Sequence, residues 1–227
     1  MKLTWYGHST FLLETESHAV LIDPFLDDNP ASPVKAADVA ADYILLTHGH
    51  FDHVADAAAI AQRTEATVIA NFEIGQWLAK QGVSEAKIIG MNTGGAVATK
   101  FGRVKMTLAH HSSSLPDGSY GGSPGGYLLE VDGQRIYVSG DTCLFLDMKL
   151  IGVGGVDVAV LPIGDLFTMG PADSLEAVKM VGAKRVVPCH FNTWPPIEQD
   201  ASSWAETVRQ QTAAEPLVLE PGGSVEL

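Results

Sequence analysis

The chain has 227 residues, 46% of them hydrophobic, and a formal net charge of −13. That is enough apolar material for one sizeable core, and the acidic field repels polyanions, which argues against a general affinity for nucleic-acid backbone. The two cysteines, Cys143 and Cys189, lie far apart in sequence with no CxxC spacing, so neither a disulfide framework nor a cysteine zinc site is expected and both read as small buried apolar residues.

In chain order, the opening Met1-Lys2-Leu3-Thr4-Trp5 soon meets Glu14 and Glu16, so it lacks the apolar stretch of a signal peptide. No segment reaches the ~20 apolar residues of a membrane span, and the expected compartment is the cytoplasm, with no membrane partner. Leu3 to Tyr6, Thr10 to Glu14 and Ala19 to Ile22 are β-rich runs separated by turn-like breaks and read as a meander. Tyr43 to Leu46 is a continuous apolar run, as expected of a strand buried on both faces, and it stops at Thr47-His48-Gly49-His50. A helix from about Val54 to Arg63 follows, then a strand at Thr67 to Ala70, a helix at about Glu73 to Gln81, and strands near Lys87 to Ile89 and Arg103 to Ala109. The stretch Gly121 to Gly126 lacks the Lys-Ser/Thr pair of a phosphate loop and is expected to be a flexible connection. Tyr127 to Val131 and Arg135 to Val138, joined at Asp132-Gly133, form a hairpin. A buried strand at Val156 to Leu161 leads to a helix opened by Pro171 and ending near Val181, and a strand, a helix and a final strand close the chain.

Two stretches thus begin with strands and gain helices later, with no Pro/Ser-rich linker between them. The layout suits one domain over residues 1–227, an α/β four-layer αββα sandwich of two mixed sheets packed face to face with helices outside. Periodicity alone does not choose it over other α/β folds.

The chemistry concentrates in His48-Gly49-His50-Phe51-Asp52-His53, where four metal-ligand types fall within one loop directly after a buried strand. Imidazole with carboxylate suits zinc, iron, nickel or manganese, and Gly49 permits the crowded backbone. One loop cannot complete two coordination spheres. His110 or His111, Asp141 and His190 each follow a predicted strand, at the strand ends where α/β folds gather their sites.

These residues carry a resemblance. The run Thr47 to His53, followed at increasing distance by a His, an Asp and a His, resembles the signature of the metallo-β-lactamase superfamily over nearly the whole chain. Gly7-His8-Ser9, Leu21 to Phe25, Leu161 to Asp165, Phe167 to Pro171 and Pro188 to Thr193 further resemble the small stand-alone metal-dependent hydrolases related to L-ascorbate-6-phosphate lactonase. The resemblance implies two divalent ions per chain, zinc first, with manganese, nickel or iron as alternatives. It implies His48, His50 and a later His on the first ion, Asp52, His53 and His190 on the second, and Asp141 bridging. His111, which precedes Ser112-Ser113-Ser114, fits that later His better than His110; neighbours on a strand face opposite ways, so only one of the two can point inward.

Two such ions acidify a shared water, which then attacks a carbonyl carbon or phosphorus. The expected function is hydrolysis of a small ester, lactone or phosphoester, with Asp52 and Asp141 as the catalytic carboxylates and a small molecule as the substrate partner. The alternatives are an RNA-processing phosphodiesterase, which the acidity opposes, and a metal-binding or redox protein without hydrolytic turnover. β-Lactamase activity is set aside because the dinuclear zinc enzymes of that type carry a cysteine where this chain has Asp141. His8, Asp165 and Thr168 stand as second contacts to the ligands or to substrate, each against a purely structural role, and Asp23 as support for a ligating histidine against a cap of its own turn. Trp5, Trp77, Trp194 and Trp204 read as packing residues. Homo-oligomerisation stays open.

Overall fold

The computed structural model describes residues 1–227. Strands β1 (Lys2–Trp5), β2 (Phe11–Glu14) and β3 (Ala19–Ile22) form the expected antiparallel meander. Strand β4 (Tyr43–Leu45) then joins β3 in parallel and runs into helix α1 (Phe51–Val54). Helix α2 (Ala57–Thr64), β5 (Thr67–Asn71), α3 (Phe72–Lys80) and β6 (Ile88–Met91) complete the first half. The second half repeats the plan. Strands β7 (Ala96–Ala98), β8 (Arg103–Leu108), β9 (Gly125–Val131) and β10 (Gln134–Val138) are antiparallel. After them come α4 (Met148–Ile151), β11 (Val156–Pro162), α5 (Pro171–Val181), β12 (Ala183–Cys189), α6 (Ala201–Gln211) and β13 (Glu215–Pro216), with β10 to β13 paired in parallel. Strand β14 (Ser224–Glu226) returns to pair with β1. The result is two seven-stranded mixed sheets, ordered β14-β1-β2-β3-β4-β5-β6 and β13-β12-β11-β10-β9-β8-β7, in the expected αββα sandwich.

Alternation along single strands shows why the layers form. Ile44, Val68 and Ala70 pack with Val54, Ile60, Ile74 and Leu78 of the helices, whereas Leu45 and Ile69 face the opposing sheet with Tyr127 and Tyr137. Successive residues of a strand point to opposite faces, so a continuous apolar run is what a strand buried on both faces requires. The sheets are also stitched by polar bonds: the Tyr127 hydroxyl donates to the carbonyls of Leu46 (2.7 Å) and Ile69 (3.1 Å). No helix is long and apolar enough to cross a membrane.

Three expectations are corrected. The helix placed at Val54 to Arg63 is two helices broken at Ala55-Asp56, because the Asp56 carboxylate turns back to accept the N–H groups of Leu26 (2.6 Å) and Asp27 (3.2 Å). The Gly121 to Gly126 stretch is fixed in place. Asn71 Nδ2 donates to Gly121 O (2.7 Å) and Ser123 O (3.1 Å), and Gly125 and Gly126 begin β9, where side chains would run into the backbone of Thr107 and Val138. Cys189 is buried as expected, but Cys143 is exposed, on the loop beyond Asp141.

Candidate metal centre

The donors arrive from both sheets at one seam. Strand β4 delivers His48 and His50, and the first turn of α1 carries Asp52 and His53. His111 follows β8, Asp141 follows β10, and His190 follows β12. A main-chain bond from His190 N to His8 O (2.9 Å) ties the loop after β12 to the loop after β1. His8, Asp23 and His190 all hold left-handed φ angles of +53°, +45° and +54°. Non-glycine residues adopt that region rarely and at a cost, and it clusters at functional sites.

Asp141 Oδ2 is the centre of the arrangement. It lies 3.0 Å from His190 Nε2, 3.4 Å from His53 Nε2, 3.7 Å from His111 Nε2 and 4.0 Å from His48 Nε2. His50 Nδ1 lies 3.0 Å from His48 Nε2 and 3.3 Å from His111 Nε2. Asp52 shares two of these rings and adds His8: its Oδ2 is 3.0 Å from His8 Nε2, 3.9 Å from His53 Nε2 and 4.0 Å from His190 Nε2. The ligand-type atoms fall into compact groups: His48 with His50 and His111, His48 with His53 and Asp141, and Asp52 with His53, His190 and His8.

Supporting bonds decide which nitrogen of each ring faces inward. His53 Nδ1 is bonded to Asp23 Oδ2 (2.8 Å), which leaves Nε2 for the centre. Asp23 is itself fully buried and accepts from Thr47 N (2.8 Å) and Thr47 Oγ1 (2.6 Å). The two readings of Asp23 are thus resolved by geometry: the carboxylate supports a histidine. His8 sits between Asp52 and Thr193 Oγ1, the latter 2.8 Å from its Nδ1. Ser112 Oγ is 3.3 Å from His50 Nε2, and Ser113 Oγ accepts from Gly49 N (3.0 Å). Behind His190, Gly164 leaves room that a Cβ would take from the His190 carbonyl.

The electrostatics fit a cation. Burial opposes ionisation of Asp141 and Asp52, yet the neighbouring imidazoles hold both carboxyls well below the usual range. Burial pushes His48 down and takes His8 down to about 4, whereas Asp141 and Asp23 outweigh burial at His53 and raise it. Every ion-pair distance of these buried carboxylates runs to a histidine and none to lysine or arginine. His53 Nε2 and Asp141 Oδ1 are buried with no hydrogen-bond partner. Buried polar atoms are rarely left so, and convergent lone pairs of this kind suit a zinc-type ion.

Other candidates lie elsewhere. His110 is exposed and edges onto Phe145 at 5.0 Å between ring centroids, while its neighbour His111 points inward. Asp165 accepts the N–H of Leu166 (2.8 Å) and Thr168 Oγ1 donates to Met169 O (3.3 Å), so both side chains are spent on their own loop. Phe167, between them, lines a cavity of about 660 Å³ that opens over His50, Asp52, His111, Asp141 and His190. Phe51, Leu115, Trp194 and Ile197 form more of its wall, so Trp194 is a site residue, beyond the packing role expected of it. Apart from Phe51, which opens α1, these wall residues come from segments without periodicity; only the nearness of Phe51 and Trp194 to predicted ligands marked any of them in the sequence.

Facing sheets with a His/Asp cluster across their seam define the class, a metal-dependent hydrolase of the metallo-β-lactamase type. The family model described as "Beta-lactamase superfamily domain" matches residues 18–191. The chain is 47% identical to a UPF0173 metal-dependent hydrolase of Pelotomaculum thermopropionicum over 100% of both chains, and 49% identical to one of Symbiobacterium thermophilum over 98% of both. It therefore belongs to the UPF0173 metal-dependent hydrolases of the beta-lactamase superfamily. Among solved structures, Igni18, a metallo hydrolase from the archaeon Ignicoccus hospitalis, superposes with a TM-score of 0.89 at 35% identity, covering 99% of this chain and 97% of that one. An isothiocyanate hydrolase from Delia radicum gut bacteria shares the fold at a TM-score of 0.78 and 22% identity.

Proposed function

We propose that this protein hydrolyses a small ester, lactone or phosphoester with two divalent ions, zinc first. His48, His50 and His111 would hold one ion and Asp52, His53 and His190 the other, with Asp141 available to both. The observation that carries the reading is the convergence of four imidazole nitrogens on Asp141 Oδ2 at 3.0 to 4.0 Å. Held by these residues, divalent ions would supply an acidified water at neutral pH and a Lewis acid for the oxygen of the scissile bond.

The protein's own groups do the rest. Asp141 and Asp52 supply the negative charge that balances the cations, and Asp52 is the proton acceptor for the attacking water. His8 holds Asp52 through Oδ2 and prevents the carboxylate from swinging away. Asp23 fixes the His53 ring, as hydrogen-bonded carboxylates commonly do behind ligating histidines. The cavity above holds the substrate and excludes bulk water from the reacting bond. Residues 1–227 act as one hydrolase domain in this reading, supported by the pairing of β14 with β1.

The test is metal content per chain for wild type and Asp141→Ala, followed by turnover on lactones, carboxylic esters and bis-(p-nitrophenyl) phosphate. Two metals in wild type, fewer in the variant and turnover lost with them are expected. No bound metal after reconstitution would sink the reading.

A further inference from the structure

The cavity over the metal centre carries its charge only in its floor. Phe51, Leu115, Pro116, Phe167, Trp194 and Ile197 build the walls, Ser112 and Ser114 add hydroxyls, and no lysine or arginine lines the space. A substrate bearing a phosphate or carboxylate away from its reacting bond needs a charge-assisted donor, usually an arginine fork or a lysine ammonium. None is present. Asp52 and Asp141 are the carboxylates that line the cavity, both committed to the cluster in its floor, and the chain's net charge of −13 offers a remote anion no compensating attraction.

The rim adds an independent observation. Asp165 and Leu166 are consecutive left-handed residues, with φ of +61° and +49°, a conformation unfavourable for a leucine. The bond from Leu166 N to Asp165 Oδ1 (2.8 Å) fixes the turn. Its result is to hold Leu166 66% exposed and Phe167 56% exposed, while Phe51, another wall residue, is 53% exposed. Aromatic side chains held in water at the mouth of a concave site release that water when an apolar ligand enters.

Resting on the hydrolase reading above, we propose that the substrate is an electrically neutral carboxylic ester, open-chain or cyclic, whose acyl side is an apolar chain reaching Phe167, and that esters carrying an anionic group away from the reacting bond are not taken. The reaction balances with water alone. Its oxygen bonds to the acyl carbon, the acyl C–O bond breaks, and the departing alkoxide takes up a proton. An open ester gives acid and alcohol, and a lactone gives a hydroxy acid.

The experiment uses zinc-loaded protein and p-nitrophenyl acetate, butyrate, hexanoate and octanoate, with mono-p-nitrophenyl adipate as the anionic comparison. In parallel, calorimetry measures binding of the neutral ketones from methyl propyl to methyl hexyl ketone, with and without zinc. The expected result is a kcat/KM that rises up to about fourfold per added methylene, the factor that burial of one CH₂ supplies. Ketone affinity should climb in the same way in both metal states. Phe167→Ala should flatten both series, and Phe167→Leu should restore most of the slope; the side chain is exposed, so the fold tolerates either change. A flat ester series with turnover intact overturns the proposal and leaves the hydrolase reading standing. So does mono-p-nitrophenyl adipate outperforming the hexanoate, or a Phe167→Ala variant that changes only the oligomeric state. A climbing ketone series with no ester cleaved overturns the hydrolytic reading and the ester together.

Discussion

Asp23 Oδ2 lies 2.8 Å from Nδ1 of His53, so a residue near the start of the chain sets the ring that faces Asp141. Asp23→Asn keeps the size of the side chain and removes its charge. Metal affinity should fall about 10- to 100-fold, the usual cost of losing such a support, with the circular dichroism spectrum unchanged. Chelator competition measures it, and an unaltered affinity would show that His53 needs no orienting.

Metal removal should lower thermal stability, since donors from both sheets lose what joins them. An ion present at 100 times its dissociation constant stabilises by about 2.7 kcal/mol. For a chain of this size that corresponds to a Tm higher by roughly 5–10 °C. Scanning calorimetry with and without chelator tests this; coincident transitions count against occupancy of the cluster.

Tyr127 is buried, and its hydroxyl serves two carbonyls of the opposing sheet. Tyr127→Phe should cost about 1–2 kcal/mol, read as a lower urea midpoint at constant slope, because two acceptors lose a donor where water cannot replace it.

Gly164 lies against His190, and a methyl group there meets the His190 carbonyl. Gly164→Ala should displace His190 and lower the metal bound per chain relative to wild type, measured by elemental analysis. Full occupancy would mean that the β12 loop yields without moving the imidazole.

The two cysteines should separate by reactivity. Burial, with the charge of Asp141 adding to it, pushes the Cys189 thiol up, whereas Cys143 is exposed. Ellman's reagent should titrate one thiol per folded chain and both after denaturation, and Cys143→Ser should abolish the fast phase. A fast phase surviving that substitution would place the reactive thiol at Cys189.

What the sequence made legible follows from which signals are local. Six of the eight histidines, His8, His48, His50, His53, His111 and His190, gather around Asp141 and Asp52. Histidine is scarce, so its placement at predicted strand ends carried information. The doubly buried β4 was readable because both of its faces are apolar. Strand β7 was not: Ala96–Ala98 is short, mostly exposed and held by pairing with β8, a contact distant enough to leave no local pattern. The break before α2 was hidden for a similar reason, since it depends on Asp56 reaching the backbone of Leu26 and Asp27. The cavity wall was least legible. Leu115, Phe167 and Ile197 stand on three separate loops, and only the closed fold brings them together.

The seam has one more consequence. With His48, His50, Asp52 and His53 on one sheet and His111, Asp141 and His190 on the other, the site works as a gauge of how the two halves are registered. A slip too small to unfold the sandwich is still large beside a coordination bond. Substitutions in the apolar middle of the molecule, remote from any ligand, should therefore erode turnover before they erode folding, and selection for catalysis would in turn preserve the packing between the sheets.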